Sequence, residues 1–179
     1  NAHQKKSYHL GFGKHVTKSN LAKANQNRDY HIFEDFAYFL VNEARRKRAV
    51  DIFKLGGNIY AFDSTTIDLC LDVFWWAKFR KYKGGIKIHT LYDIETQTPT
   101  FFHVTNAKVN DVNAMDVIPY EIGSYYVFDR GYNDFKRLYK IKTVDSFFVI
   151  RSKKNLQYKC IKWKRRLPKN ILSDAEIEL

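Results

Sequence analysis

Two short runs of the same shape set the tightest limit on how this chain can fold. Ile59-Tyr60-Ala61-Phe62-Asp63 and Tyr125-Tyr126-Val127-Phe128-Asp129 are each continuously apolar until a closing acid. A short apolar run bounded by turn residues reads as a buried strand. A carboxylate at the end of such a strand is costly to bury unless it is paired or bound to a cation. Turn-forming residues come after both acids, so both are expected at strand ends, where α/β sheets place their active sites. If the two strands are neighbours, Asp63 and Asp129 share one cleft. Two such carboxylates suit Mg²⁺ or Mn²⁺. A pair of these ions about 3.5–4 Å apart can clamp the attacking and leaving oxygens of a phosphoryl transfer. The same residues also allow a plainer reading, in which Asp63 is an N-cap for the segment after it and Asp129 opens a tight turn with Gly131.

The rest of the pattern makes the sheet mixed. Residues 1–28 are polar and basic and read as an irregular or loosely helical arm. Ile32, Phe33, Phe36, Ala37, Leu40, Val41 and Ala44 then recur at the spacing of an amphipathic helix that runs to about Val50. Its last turns carry Arg45-Arg46-Lys47-Arg48, where cations suit the helix dipole or a DNA backbone. Residues 85–93 and 100–105 flank a short polar connection and predict an antiparallel hairpin. Asn110-Asp111 predicts an N-cap for a short helix that stops near Pro119. Asn133 or Asp134 caps a further helix containing Phe135, Leu138, Tyr139 and Ile141. Strands at 147–150 and around 158–163 come next, while 68–79 stays ambiguous between a short helix and a loop. The expected fold class is α/β, with three early meander strands and later strands joined through helices.

Charge narrows the function. There are 31 Lys+Arg against 19 Asp+Glu, a formal charge of +12, which points to a polyanion and first to nucleic acid. With 45% hydrophobic residues the chain is not disordered, and no apolar run approaches the ~18–20 residues of a membrane span. Cys70 and Cys160 lie in no metal-like spacing and fit free thiols of a reducing cytoplasm.

Tyr60-Ala61-Phe62-Asp63-Ser64-Thr65-Thr66 followed by Val127-Phe128-Asp129-Arg130-Gly131-Tyr132 resembles the DDE transposases of the insertion-sequence-four family. Asp-Ser-Thr and Asp-Arg-Gly-Tyr match that family's first and second acidic signatures. Gly85-Ile86-Lys87-Ile88-His89 and Val104-Thr105-Asn106-Ala107-Lys108-Val109-Asn110-Asp111 look like its intervening strands, and the likeness covers roughly residues 55–153. The resemblance implies an RNase H-like (retroviral-integrase-like) fold with Asp63 and Asp129 as catalytic metal ligands. It also implies two divalent ions in the full-length enzyme, Mg²⁺ or Mn²⁺, and a reaction on DNA backbone phosphates. Water nicks the element's end, and the freed 3′-hydroxyl then attacks target DNA. Transposon ends and target DNA are the implied partners, with a homodimer in the synaptic complex and a bacterial, nucleoid-associated cytoplasmic location.

The family's third acid lies in a Tyr-x-x-Arg-x-x-x-Glu-x-x-x-x-x-x-Lys helix, and no such pattern occurs after Asp129. Glu176 and Glu178 lack it. The chain therefore reads as a piece of something longer: a basic arm and amphipathic helix over 1–54, a catalytic core with two of three acids over 55–152, and the truncated start of a β-rich insertion over 153–179. Such a piece is expected to be weakly active or inactive. The expected DNA contacts are Lys87, His89, Arg130, Tyr132, Arg151, Lys153, Lys154, Lys164, Arg165 and Arg166. The cluster after Ser152, interleaved with Tyr158 and Trp163, leads that set. Trp75, Trp76 and Trp163 read as core aromatics before base-stacking ones, and His103 as a core or edge histidine. A resolvase-like nuclease of the same fold and a non-catalytic basic DNA-binding domain remain the competing classes.

Overall fold

A computed structural model describes residues 17–47, 52–70, 75–80 and 83–179. The basic residues of the arm before Val16, together with Arg48 and Asp72, lie outside them. The chain divides into two units, Asn1–Arg48 and Ala49–Leu179.

In the first unit, helix α1 spans Lys18–Asn27 and helix α2 spans His31–Lys47. Thr17 caps α1 by accepting the Asn20 N–H at 3.2 Å. Asp29 stands at the start of α2, accepting the His31 N–H at 3.0 Å and meeting its ring Nδ1 at 2.6 Å. The ring contact raises the His31 pKa, while the His31 backbone N–H and then its ring lower that of Asp29. Of the apolar stripe on α2, Val41 is buried, whereas Ile32, Phe33, Phe36 and Leu40 are exposed.

The second unit is a mixed α/β sheet. Its strands are β1 (Ile59–Leu69), β2 (Lys78–Arg80), β3 (Lys83–Asp93), β4 (Thr98–Asn106), β5 (Tyr125–Phe128) and β6 (Phe147–Ile150). β1 pairs antiparallel with β3 and parallel with β5, β5 pairs parallel with β6, and β3 also takes β2 and β4. This meander, leading into a parallel β5–helix–β6 unit, is an arrangement compatible with the RNase H-like fold. Helix α3 (Phe135–Thr143) makes that crossover, and its cap is Asp134, which accepts the Arg137 N–H at 3.1 Å. The last two strands, β7 (Lys159–Trp163) and β8 (Ala175–Glu178), form a separate antiparallel pair.

Period two decides the core. Tyr60 and Phe62 on β1 and Tyr126 and Phe128 on β5 point to one face. There they pack with Met115 and Ile118 after β4 and with Leu138 and Ile141 of α3. Arg137 fastens the 3₁₀ turn Asp111–Val117 to α3, donating to Asp116 Oδ2 at 2.7 and 3.0 Å, to Asp134 at 2.8 Å and to Asn113 at 3.1 Å. The hairpin turn is held by Asp93, which is buried and accepts the N–H groups of Glu95 and Thr96 at 2.9 and 3.0 Å. Pro99, which has no N–H to give, sits where the β3–β4 register shifts.

One expectation about the strands needs correction. Asp63 does not close its strand. β1 continues past it to Leu69, taking in the first two residues of the segment read as ambiguous, because β3 offers a partner over that whole length. Within the rest of that segment, Trp75–Ala77 form a 3₁₀ turn that leads into β2. What ends at Phe62 is only the parallel pairing with β5.

Candidate active site

The parallel pairs Phe62↔Phe128 and Phe128↔Ile150 are the last in their ladders. Asp63, Asp129 and Arg151 are therefore the next residues on three adjacent strands, at the carboxyl edge of the parallel part of the sheet. Asp63 and Asp129 come directly after buried aromatics in the same phase, so both leave the sheet on the side away from the core, and both are exposed. The burial cost expected for these carboxylates is thus absent. Each still has a defined local anchor. Asp63 Oδ1 accepts the Ser64 N–H at 2.8 Å, and Asp129 Oδ1 accepts the Gly131 N–H at 2.7 Å. Asp129 caps the 3₁₀ turn Arg130–Tyr132, so the turn expected as its plainer role is present; Asp63 lies inside β1 and caps no helix. A Cβ on Gly131 would stand 2.9 Å from Asp129 Oδ1 and would push this carboxylate out of its present position.

Basic residues follow the ends of β5 and β6. Arg130, Arg151, Lys153 and Lys154 are exposed. Asn133 ties the loops after β5 and β6 together, its Nδ2 donating to the carbonyls of Arg130 at 3.2 Å and Arg151 at 2.8 Å. Lys153 Nζ completes the tie on Asn133 O at 3.4 Å.

Three residues expected at the DNA surface are instead inside the fold. The Lys87 side chain is only 13% exposed, and its ammonium lies 3.0 Å from Asp111 and donates to Val109 O at 2.8 Å. His89 is fully buried, with Nε2 2.9 Å from Thr105 Oγ1 and Nδ1 without a partner. Tyr132 is buried in the core cluster and its hydroxyl makes no well-formed hydrogen bond. Burial pushes its phenol above the usual range, with Asp111, Asp63 and Asp129 adding to the rise and the nearby Ser64 hydroxyl opposing it. For the two residues on β3, period two is the reason. Lys87 and His89 share the phase of β3 that faces inward, and a strand alternation alone does not say which phase that is.

Burial holds the His89 imidazole below its ordinary pKa. An unfolded chain takes up that proton near pH 6.5, and the folded one resists, so this contribution is complete above that pH and is lost as pH falls. The melting temperature should therefore drop between pH 7 and pH 5. His89→Gln, which has an amide for Thr105 and no titration, should show a smaller drop; an equal drop in both proteins would refute the assignment.

The basic segment after Ser152 differs from its expected form. β8 sets acids opposite its lysines: Lys159 pairs in register with Glu178 and Lys162 with Glu176, and Lys164 lies 2.7 Å from Asp174. Arg165 and Arg166 stay exposed. Trp76 and Trp163 are exposed as well, contrary to their reading as core residues, and the Trp75 side chain lies outside the described residues. The exposed lysines of α3, Lys136, Lys140 and Lys142, escape a reading of the sequence. They carry no motif, and only the helix's burial pattern reveals which of its cations face outward. Among the described residues, no group of three or more His, Cys, Asp or Glu is placed to hold a metal ion.

The sequence profile of the transposase DDE domain matches residues 54–177. The chain belongs to the transposase DDE domain family. A Sinorhizobium fredii protein named "Putative transposase y4zB" is 30% identical to this transposase domain over 145 residues, which is 81% of the chain and 40% of that relative. The match thus spans less than half the relative's length. No solved structure matches the chain. No described helix is long and apolar enough to cross a membrane.

Proposed function

We propose that this domain is the part of a DNA transposase, of the insertion-sequence-four type, that supplies two of the acids for metal-dependent cleavage of element ends and strand transfer. The observation that carries the reading is the placement of Asp63 and Asp129 next to each other beyond the last β1–β5 pair, inside a matched transposase DDE domain. Their chemistry fits a divalent cation: both are hard oxygen donors, both face solvent, and each has a backbone N–H fixing one oxygen. Asp63 and Asp129 would hold Mg²⁺ or Mn²⁺, which when bound activates the nucleophile and offsets charge on the phosphate. Two carboxylates are an incomplete set for two ions, so this chain alone should nick DNA weakly. The protein's own share of the work is positioning. Arg130, Arg151, Lys153 and Lys154 draw the phosphate backbone to the strand ends, and Asn133 keeps the two basic loops in register. Arg165 and Arg166 extend the contact, with Lys164 partly offset by Asp174. Work on the bacterial chromosome, and a homodimer at synapsis, belong to the same proposal.

Sequence-tolerant binding to duplex DNA tests it. The affinity should fall with salt at a log–log slope of roughly −4 to −8, as expected when that many phosphates are neutralised. A slope near zero would remove the electrostatic contact. Robust Mn²⁺-dependent nicking of plasmid DNA by this same chain would show that another acid already completes the site.

A further inference from the structure

Behind Asp63 lies a polar network that the two-acid site does not use. Ser64 turns its hydroxyl to the inner side of the sheet and donates to Asp111 Oδ1 at 2.9 Å. The same oxygen stands 3.0 Å from Lys87 Nζ, which also donates to Val109 O at 2.8 Å. Three segments are thereby fastened at one point: β1 through Ser64, β3 through Lys87, and the turn after β4 through Val109 and Asp111. The place is where β1 most needs it. Up to Phe62 the strand is held on both sides, but from Asp63 onward β5 has ended and only β3 remains. The Tyr132 ring, three residues after Asp129, packs on Phe62 with centroids 5.5 Å apart. The Lys87 side chain is largely withdrawn from solvent and that of Asp111 only partly, and a charge drawn out of water is favourable only when its geometry is well fixed and its remaining bonds are made. Here they are made to the residue whose N–H orients the Asp63 carboxylate.

We propose that the Lys87–Asp111–Ser64 network positions Asp63, holding β1 in place beyond its last parallel pair so that the first carboxylate meets the second. The proposal rests on the reading of Asp63 and Asp129 as cation ligands. Asp111 and Lys87 act through Ser64 and touch neither cation nor DNA. Partners one step removed from a metal ligand typically change metal affinity about 10–100-fold when lost.

The test is Mn²⁺ affinity of the whole 179-residue chain, read from the electron paramagnetic resonance signal of free Mn²⁺. Parent protein should bind the ion, and Asp63→Asn should lose that binding. Ser64→Ala and Asp111→Ala should each weaken it about tenfold, while Ser64→Thr, which keeps the hydroxyl, should bind as the parent does. A merely structural role would lower the melting temperature without changing the affinity of the folded protein. Parent-like affinity in Ser64→Ala would overturn the proposal and leave the two-acid site standing. If Asp111→Ala does not fold, Ser64→Ala, which removes a single oxygen, decides the matter. No Mn²⁺ binding by the parent, or equal binding by Asp63→Asn, would overturn the two-acid site and the proposal with it.

Discussion

Gly57→Ala should lower the melting temperature of the sheet unit by about 6–12 °C. The cause is a close approach of two backbones. Gly57 leads into β1 and Gly123 leads into β5, and a Cβ on Gly57 would overlap the Gly123 carbonyl, both its oxygen and its carbon. Neither partner can give way. The Gly123 N–H donates to Asp145 O at 2.8 Å, and the next link, Tyr125 N–H to Asn58 O, also at 2.8 Å, starts the β1–β5 ladder. Overpacking typically costs about 1–3 kcal/mol and occasionally more. An approach this close on backbone atoms belongs at the upper end, about 3 kcal/mol, and a domain of this size loses roughly 2–4 °C per kcal/mol. Gly56 is the control, because its situation is the reverse. It has φ +73°, but a Cβ there would meet nothing within 4 Å. Gly56→Ala should therefore cost only the left-handed backbone penalty, about 1–2 kcal/mol. Thermal melts of both variants check the ranking, and a milder effect at Gly57 than at Gly56 would contradict the close packing of the strand entrances.

Gly57 also illustrates what sequence reading reaches and where it stops. Gly56-Gly57-Asn58 is legible as a break before a strand, because glycine punctuates chains. That one glycine is needed for its conformation and the next for its lack of a side chain depends on Gly123, far away in sequence. The strands themselves were legible wherever apolar runs met turn residues: β1, β3, β4, β5 and β6 all lie over the segments expected. The extension of β1 to Leu69 was not. Ser64, Thr65, Thr66 and Asp68 are polar, and they are strand only because β3 is long enough to pair with them. β8 was missed for a related reason, since Ala175–Glu178 forms a ladder with β7 and has little apolar signal of its own.

At the candidate site, the acids were legible and their surroundings were not. A repeated apolar run closing on Asp is a local pattern, and adjacency came with it once the strands were neighbours. The inward phase of Lys87 and His89 depends on which face of β3 meets the core. Asp111 looked like an ordinary cap residue; its link to Ser64 and Lys87 joins residues 47 and 24 positions apart and leaves no trace in spacing. The basic segment 159–166 looked uniformly cationic because the acids that face it, Asp174 just before β8 and Glu176 and Glu178 on it, arrive later in the chain.

The largest functional effect should come from the acids themselves. Asp63→Asn and Asp129→Asn preserve an acceptor for the Ser64 and Gly131 N–H groups, and asparagine caps a turn about as well as aspartate. They also relieve the repulsion of two like charges on neighbouring strand positions. Without metal, each variant should therefore be as stable as the parent or slightly more so. With metal the order reverses. An ion at 100 times its Kd adds about 2.7 kcal/mol to the folded state, which is roughly 5–10 °C for a domain of this size. Either substitution should remove most of that gain, and the double variant should lose little more, because the two carboxylates act as one site. The decisive measurement is the thermal melt of parent, Asp63→Asn and Asp129→Asn with and without Mn²⁺. The two-acid site predicts equal or higher metal-free stability in the variants and a Mn²⁺-induced rise confined to the parent. Equal Mn²⁺ shifts in all three proteins, or a loss of metal-free stability in each variant with no Mn²⁺ effect in the parent, would contradict it.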